Sequence, residues 1–358
     1  MVRTLLIGFG RAGAGLHWNV LRRLRGRGDS RHLFADDPPI VWDPAEVGAS
    51  AAREGLGVVD SLTQAAAQLD PAGTVVHLCA PPATRLVTLR DVAAAGFRLI
   101  MVEKPLASNA AEVHEIARLR REYGLHLLTV AQWLHSALTL RLARLVAADS
   151  LGALRGISVL QRKPRMMRSL DDVGHPSAFD VELPHSVGVA LRLAGDADVA
   201  GAAGTDMRVG EVVVPRMGSA RLLLEHLDGP VTEIFSDLTS PVRERRIELT
   251  FDAGRAVGHY PGSRDDHYAT LSVLAGRERT DEVLFDDSLS AFFVHAYRRF
   301  AAGDDFADDF ALAVRVVELL DAAKRRCRPG TSDPVAGLLL EAGATAATLA
   351  EGSLRHAG

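Results

Sequence analysis

The chain has 358 residues, 47% of them hydrophobic and 24% charged, and a formal net charge of −4. That length suits two domains of ordinary globular composition, and the mild acidic balance gives no reason to expect nucleic acid or an anionic membrane as a partner. Cys79 and Cys327 make no disulfide framework, no apolar stretch is long and clean enough to span a bilayer, and the N-terminus opens on a strand-like run with no visible signal peptide, so a cytoplasmic location is expected.

Val2 to Ile7 reads as a buried parallel strand. It feeds Gly8-Phe9-Gly10-Arg11-Ala12-Gly13, a GxGxxG, and then a helix from about Ala14 to Leu24 with Leu16, Val20, Leu21 and Leu24 at helical spacing. In that context Gly8 permits a tight turn, Gly10 lets the backbone approach a pyrophosphate, and Gly13 lets helix and strand pack closely. The free N–H groups of the helix start would face the phosphates. A polar segment, Gly26 to Pro39, precedes a second strand ending in Asp43, an acid placed to accept hydrogen bonds from an adenosine ribose. Asp43 would repel a 2′-phosphate, and Pro44, Ala45 and Glu46 include no Arg to receive one, which favours NAD over NADP.

Strand and helix then alternate. Helices are expected over Glu46–Glu54, Thr63–Leu69 and Arg85–Ala95, the last closed by Gly96, and over a segment capped by Ser108 and ended by Gly124. Strands are expected at Val58–Asp60, Thr74–Cys79, Phe97–Val102 and Leu125–Val130. The alternation predicts an α/β fold with a doubly wound parallel Rossmann sheet over residues 1–130. The fourth strand ends in Ala80-Pro81-Pro82 and the fifth in Glu103-Lys104-Pro105, where an open α/β sheet binds ligands. Lys104 stands out because the chain has only three lysines, Lys104, Lys163 and Lys324, among 41 Lys and Arg residues. A lysine, unlike an arginine, can lose its proton when desolvated.

The second half reads differently. A helix is expected over Gln132–Val146, a strand over Leu154–Leu160, and a basic segment over Gln161–Arg165. A helix from Pro184 to Leu193, ended by Gly195, would carry His185 in its first turn, with Asp180 and Glu182 as candidate acidic partners. Val199–Ala203, Val209–Val214, Ala220–Leu227, Val231–Leu238 and Arg245–Phe251 predict a large, mostly antiparallel sheet. Tyr260–Tyr268 is a polar loop, and two helices, Asp287–Phe300 and Asp308–Arg326, close the ordered pattern. The sequence thus divides into 1–130, a second unit over 131–300, a last helix over 301–328 and a tail over 329–358.

The GxGxxG, the acid after the second strand, the Ala-Pro-Pro strand end and Glu103-Lys104-Pro105, in this order, resemble the glucose–fructose oxidoreductase / inositol dehydrogenase / rhizopine-catabolism (Gfo/Idh/MocA) family. The resemblance covers residues 1 to about 328, and implies substrate binding and oligomerisation for 131–300 and a helix packing back on the first domain for 301–328. It implies Phe9, Arg11, Ala12, Ala80, Pro81, Glu103 and Pro105 around the dinucleotide with the three glycines and Asp43, and a cis Lys104–Pro105 bond. It also implies Lys104 hydrogen-bonded to the reacting hydroxyl or carbonyl and His185 as general base or acid, with Asp180 beside it. Gln132, His135, Gln161, Arg162, Lys163, Arg165 and His175 are the other side chains available to a polyol substrate. Arg85 stands where the family usually has a His. The expected activity is NAD-dependent oxidation of a secondary hydroxyl of a sugar, nucleotide sugar, aminoglycoside or cyclitol to a ketone, by a homodimer or homotetramer. Reduction of a ketosugar by the same groups, an NAD-using glycosidase, and a non-catalytic NAD/sugar sensor are the rival readings. No metal is expected.

Overall fold

The computed structural model describes residues 1–171, 174–263 and 266–327. Its first sheet holds β1 (Arg3–Ile7), β2 (Ile40–Trp42), β3 (Gly57–Val58), β4 (Thr74–Leu78), β5 (Leu99–Val102) and β6 (His126–Thr129), all parallel, in the order β3-β2-β1-β4-β5-β6. The helices that cross between them are α1 (Asn19–Gly26), α2 (Gly48–Arg53), α3 (Leu62–Gln68), α4 (Pro82–Ala94) and α5 (Ala110–Tyr123). Strands β1, β4 and β5 are apolar almost throughout because both faces are covered. Strand order reverses between β1 and β4, which opens a crevice beyond their carboxyl ends.

The second half holds α6 (Ala137–Ala148), β7 (Leu154–Arg162), α7 (Met166–Asp171), α8 (Leu183–Ala194) and β8 (Ala197–Gly204). A small hairpin follows, β9 (Met207–Val209) with β10 (Val212–Val214), then β11 (Ser219–His226), β12 (Val231–Asp237), β13 (Glu244–Phe251), β14 (Gly254–His259), β15 (Tyr268–Ala275) and β16 (Glu278–Phe285). Eight of these strands form one sheet, β16-β15-β14-β13-β7-β12-β11-β8, antiparallel except at β7–β12. Alternate residues Ile157, Val159, Leu222, Ile234, Ile247 and Leu249 lie on one face of this sheet and build the second core with Leu183, Val187 and Leu191 of α8. Helices α9 (Ser288–Ala301) and α10 (Ala307–Arg326) finish the described chain.

Several expectations shift. The first helix begins with one π-helical turn, Gly13–Trp18, in which the N–H of His17 bonds the carbonyl of Ala12 at 2.9 Å. That extra residue turns His17 and Trp18 inward and leaves Leu16 only half-buried. Asn109, not Ser108, caps α5, its side chain accepting from Glu112 N at 2.9 Å. Gln132–Val146 is not one helix: a 3₁₀ turn, Gln132–His135, precedes α6, and Ser136 caps the latter. Val209–Val214 is a hairpin rather than a strand. Strands β14 to β16 were not expected; β16 is an edge strand of mostly exposed, charged residues, so it lacks the apolar alternation that marks its neighbours. Helix α9, grouped by the sequence with residues 131–300, packs on the first sheet, where Phe292, Phe293, Tyr297 and Phe300 share a buried cluster with Leu6, Leu21 and Val75. Helix α10 spans both cores, with Phe310 and Val317 in the first and Val316, Leu319 and Leu320 in the second. Arg264 and Asp265 of the Tyr260–Tyr268 loop and the 329–358 tail lie outside the described residues.

Candidate active site

The glycine loop after β1 is built as the motif requires. Gly8 has φ +87°, a conformation that favours glycine, and a Cβ on Gly13 would lie 1.9 Å from the Gly8 carbonyl oxygen. Gly10 is different: a Cβ there would meet nothing within 4 Å, so no protein contact demands a glycine and the backbone faces open space. Asp43, at the end of β2, accepts from the N–H of Phe9 at 2.6 Å and of Ala45 at 2.8 Å. A tight loop with an open face beside an acid fits the pyrophosphate and ribose of a dinucleotide. Gly8, Phe9, Gly10, Arg11, Ala12, Gly13 and Asp43 would hold that part.

Beneath this loop lies a hydrogen-bonded chain that sequence reasoning missed. Glu103 Oε1 and His17 Nε2 are 2.8 Å apart, His17 Nδ1 and His77 Nδ1 2.8 Å, His77 Nε2 and Tyr297 Oη 2.8 Å, and Tyr297 Oη and Thr4 Oγ1 2.8 Å. His17, His77 and Tyr297 have no exposed surface. Two facing Nδ1 atoms require one ring to carry its proton there. Burial works against charge on His17, but the Cys79 sulfur and the Glu103 carboxylate raise it to about 10. Burial, with the charge of His17, drives His77 well below the usual histidine range. His17 is therefore the imidazolium and donates at both nitrogens. Burial opposes the Glu103 carboxylate, yet His17, then Lys104 and Arg85, hold it down to about 2. The available sequence signals were a His four residues beyond Gly13 and a His inside an otherwise apolar strand.

The Lys104–Pro105 bond is cis, as the resemblance implies. Arg85, almost fully buried, donates to the carbonyls of Pro105 and of Ala80, the latter at 2.7 Å, and so ties the ends of β4 and β5 together. Lys104 Nζ donates to the carbonyl of Val181 at 2.7 Å, and its pKa is lowered, chiefly by burial. Lys104, His185, His135 and Thr129 line one largely apolar cavity.

Helix α8 begins at Leu183 with Pro184 in its first turn, as expected, and delivers His185 to this cavity. The imidazole stacks on Trp133 with ring centres 5.5 Å apart; Trp133 stacks in turn on Tyr260 at 4.2 Å. The Arg245 guanidinium stands 5.8 Å from the Trp133 ring centre. Gln132 Nε2 is 3.5 Å from His185 Nε2. Burial first, then the charge on Lys104, pushes His185 down to about 3.

Asp180 does not partner His185. The 3₁₀ turn Ala178–Asp180 aims its carboxylate at Lys324, 2.8 Å away, and at Ser177, which donates at 2.6 Å. Glu182 faces His185 electrostatically, but its carboxylate is paired with Lys163 and lies 3.8 Å from Arg245. Burial is the largest influence lowering Lys163, to about 8. Arg162 is turned to solvent, where it pairs with Glu244 at 3.1 Å, and His135 sits against Phe292 and His295. Gln161 is buried on the inner face of β7, and neither polar atom of its amide has a hydrogen-bond partner among the described residues. The same holds for Ser236 Oγ, its register partner, and for Gln132 Oε1. Unpaired buried polar atoms are uncommon, and these three residues lie on the elements that frame His185. Among the described residues no group of side chains could hold a metal ion, and no helix is long and apolar enough to cross a membrane.

Solved structures share this architecture. KijD10, a 3-ketoreductase from Actinomadura kijaniata in complex with NADP and TDP-benzene, superposes with a TM-score of 0.76 at 17% identity, over 91% of this chain and 98% of its own. An oxidoreductase from Thermotoga maritima superposes with a TM-score of 0.74 at 16% identity, over 91% of this chain and 96% of its own. No family model and no curated protein sequence matches the chain. At these identities the likeness establishes the fold: a Rossmann sheet joined to a large open, mostly antiparallel sheet.

Proposed function

We propose that the chain is an NAD-dependent oxidoreductase of the Gfo/Idh/MocA family that interconverts a secondary hydroxyl and a ketone on a sugar or nucleotide sugar. The observation that carries this reading is the meeting of the half-buried Lys104 ammonium and His185 in one cavity, next to a glycine loop with an open face. The solved proteins of the same fold bind NADP in one case and are oxidoreductases in both. Asp43 favours NAD here, because its carboxylate would stand against a ribose 2′-phosphate.

The bound dinucleotide supplies or accepts the hydride. Lys104 holds the substrate oxygen: one of its three N–H groups goes to Val181, leaving two for the ligand. Its lowered pKa makes it a ready proton donor to the oxygen of a ketone being reduced. His185 is neutral near pH 7 and, with no carboxylate hydrogen-bonded to it among the described residues, orients the same oxygen rather than storing a proton. Those charge states favour ketone reduction over alcohol oxidation. Gln132 and Gln161, with unmet hydrogen bonds, suit the remaining hydroxyls. Tyr268, Val283 and Phe285 on β15 and β16 are exposed, as a homodimer or homotetramer formed through the open sheet would use.

The test is consumption of NADH and NADPH across ketosugars and sugar-nucleotide ketones, with the reverse assay on sugars, inositols, sugar nucleotides and aminoglycosides. Turnover with one class, faster with NADH, is expected. Release of free sugar without net dinucleotide turnover, or silence throughout while the dinucleotide binds, would sink the proposal.

A further inference from the structure

All three lysines of this chain end on one tripeptide. Lys324, from α10, donates to Asp180 Oδ1 at 2.8 Å and to the Ser108 carbonyl at 2.8 Å. Lys104, from the turn after β5, donates to the Val181 carbonyl at 2.7 Å. Lys163, just after β7, pairs with the Glu182 carboxylate. Three elements, from both cores and the helix that spans them, thus grip residues 180, 181 and 182 in succession. That tripeptide runs straight into α8, and the N–H of His185 bonds the Glu182 carbonyl at 3.2 Å.

The residue type matters in a chain where every one of the 41 Lys and Arg residues other than these three is arginine. An ammonium puts three donors on one atom, so Lys324 can serve two acceptors from different segments at once. A guanidinium spreads its donors over a planar fork and would need more room. The ion pairs are enclosed: the side chains of Lys163 and Lys324 are 19% and 15% exposed, against 7% and 4% for Glu182 and Asp180. Removing either lysine would leave a buried carboxylate without its main counter-charge.

We propose that Lys163 and Lys324 are positioning residues which, together with Lys104, clamp Asp180-Val181-Glu182 and thereby set His185 and the Lys104 ammonium relative to each other. The proposal rests on Lys104 and His185 being the reacting pair. The two outer lysines differ in one respect. Glu182 faces Lys163, Arg245, Lys104 and His185. Lys104 faces Glu182, Glu103, Arg165 and Arg168, and His185 faces Lys104, Glu182, Arg245 and Glu103. Asp180 is outside both sets. Removing the charge of Lys163 leaves Glu182 less compensated and raises the proton affinity of Lys104 and His185. Removing that of Lys324 does not.

The experiment compares Lys163→Arg, Lys163→Met, Lys324→Arg and Lys324→Met in the full chain, each with a melting curve, dinucleotide binding and a pH profile of kcat. The Arg variants keep the counter-charge and should still fold and bind the dinucleotide, yet lose about 10²-fold in kcat from misplacement of the reacting groups. Lys163→Met should also move the pH midpoint up by about one unit, and Lys324→Met should not. Parent-like kcat in both Arg variants, or an unmoved midpoint in Lys163→Met, overturns the proposal; a loss of melting temperature alone would be mere structure. A readout independent of catalysis separates this from failure of the functional reading. Reductive methylation followed by mass spectrometry should label Lys163 about tenfold faster in Glu182→Gln, and Lys324 about tenfold faster in Asp180→Asn. Unchanged rates there overturn the clamp whatever the enzyme turns over. Intact turnover in Lys104→Ala would instead refute the functional reading and leave the labelling result to decide the clamp.

Discussion

Replacing His17 by Leu tests whether the buried chain beneath the glycine loop is an ion pair. The imidazolium of His17 donates to Glu103 at 2.8 Å with no solvent access to the ring. Removing His17 takes from the Glu103 carboxylate, whose side chain is only 13% exposed, its hydrogen-bonded counter-charge and leaves Lys104 and Arg85 to compensate it in part, at a cost of about 3 kcal/mol. The cost should depend on pH in a defined way. Glu103 is depressed from 4.5 to about 2, so its contribution is present above 4.5 and lost as pH falls through 2. His17 is raised from 6.5 to about 10, so its contribution is full below 6.5 and fades as pH rises through 10. The penalty of His17→Leu should therefore be greatest between pH 4.5 and 6.5 and smaller at pH 9. Urea denaturation of the parent, His17→Leu, Glu103→Gln and the double variant at pH 6 and pH 9 measures it. In the double variant no charge is stranded, and a coupling of roughly 2 kcal/mol or more is expected at pH 6. A penalty under about 1 kcal/mol, with no coupling and no pH dependence, would refute the ion-pair account.

The glycines of the loop should separate by role. Gly13→Ala forces a Cβ to 1.9 Å from a backbone oxygen and should cost about 2 kcal/mol or more in urea denaturation. Gly10→Ala should keep the parent's stability but weaken dinucleotide binding at least about tenfold by fluorescence titration, because open space, not protein, faces it. Asp43→Ala should erase the preference for NADH over NADPH in kcat/KM, since the repulsion it removes acts on the 2′-phosphate alone; an unchanged ratio would contradict the role given to Asp43. Arg85→Met leaves the Pro105 and Ala80 carbonyls without their donor and should lower stability by about 1–3 kcal/mol per carbonyl, seen as an earlier urea midpoint.

What the sequence disclosed follows from how local each signal is. Gly8 and Gly13 are demanded by backbone geometry within a few residues, and Lys104 follows an apolar run, so both were legible. Helix α8 was placed because Pro184 and Gly195 mark its ends. The partner of His185 was not legible: Asp180 and Glu182 are claimed by Lys324 and Lys163, which arrive from 144 and 19 residues away. His17 and His77 escaped because they meet only across the fold, and because one π-helical turn, invisible to a 3.6-residue pattern, swings His17 inward. Strand β16 escaped because an edge strand protects itself with charge instead of apolar alternation.

The measurement that bears most directly on the whole account is turnover and dinucleotide affinity of Lys104→Ala with the best substrate of the panel. The account predicts kcat lower by about 10²–10⁴ with the dinucleotide dissociation constant little changed, because Lys104 meets the reacting oxygen while the glycine loop binds the cofactor. Parent-like turnover, or loss of dinucleotide binding equal to the loss of turnover, would contradict it.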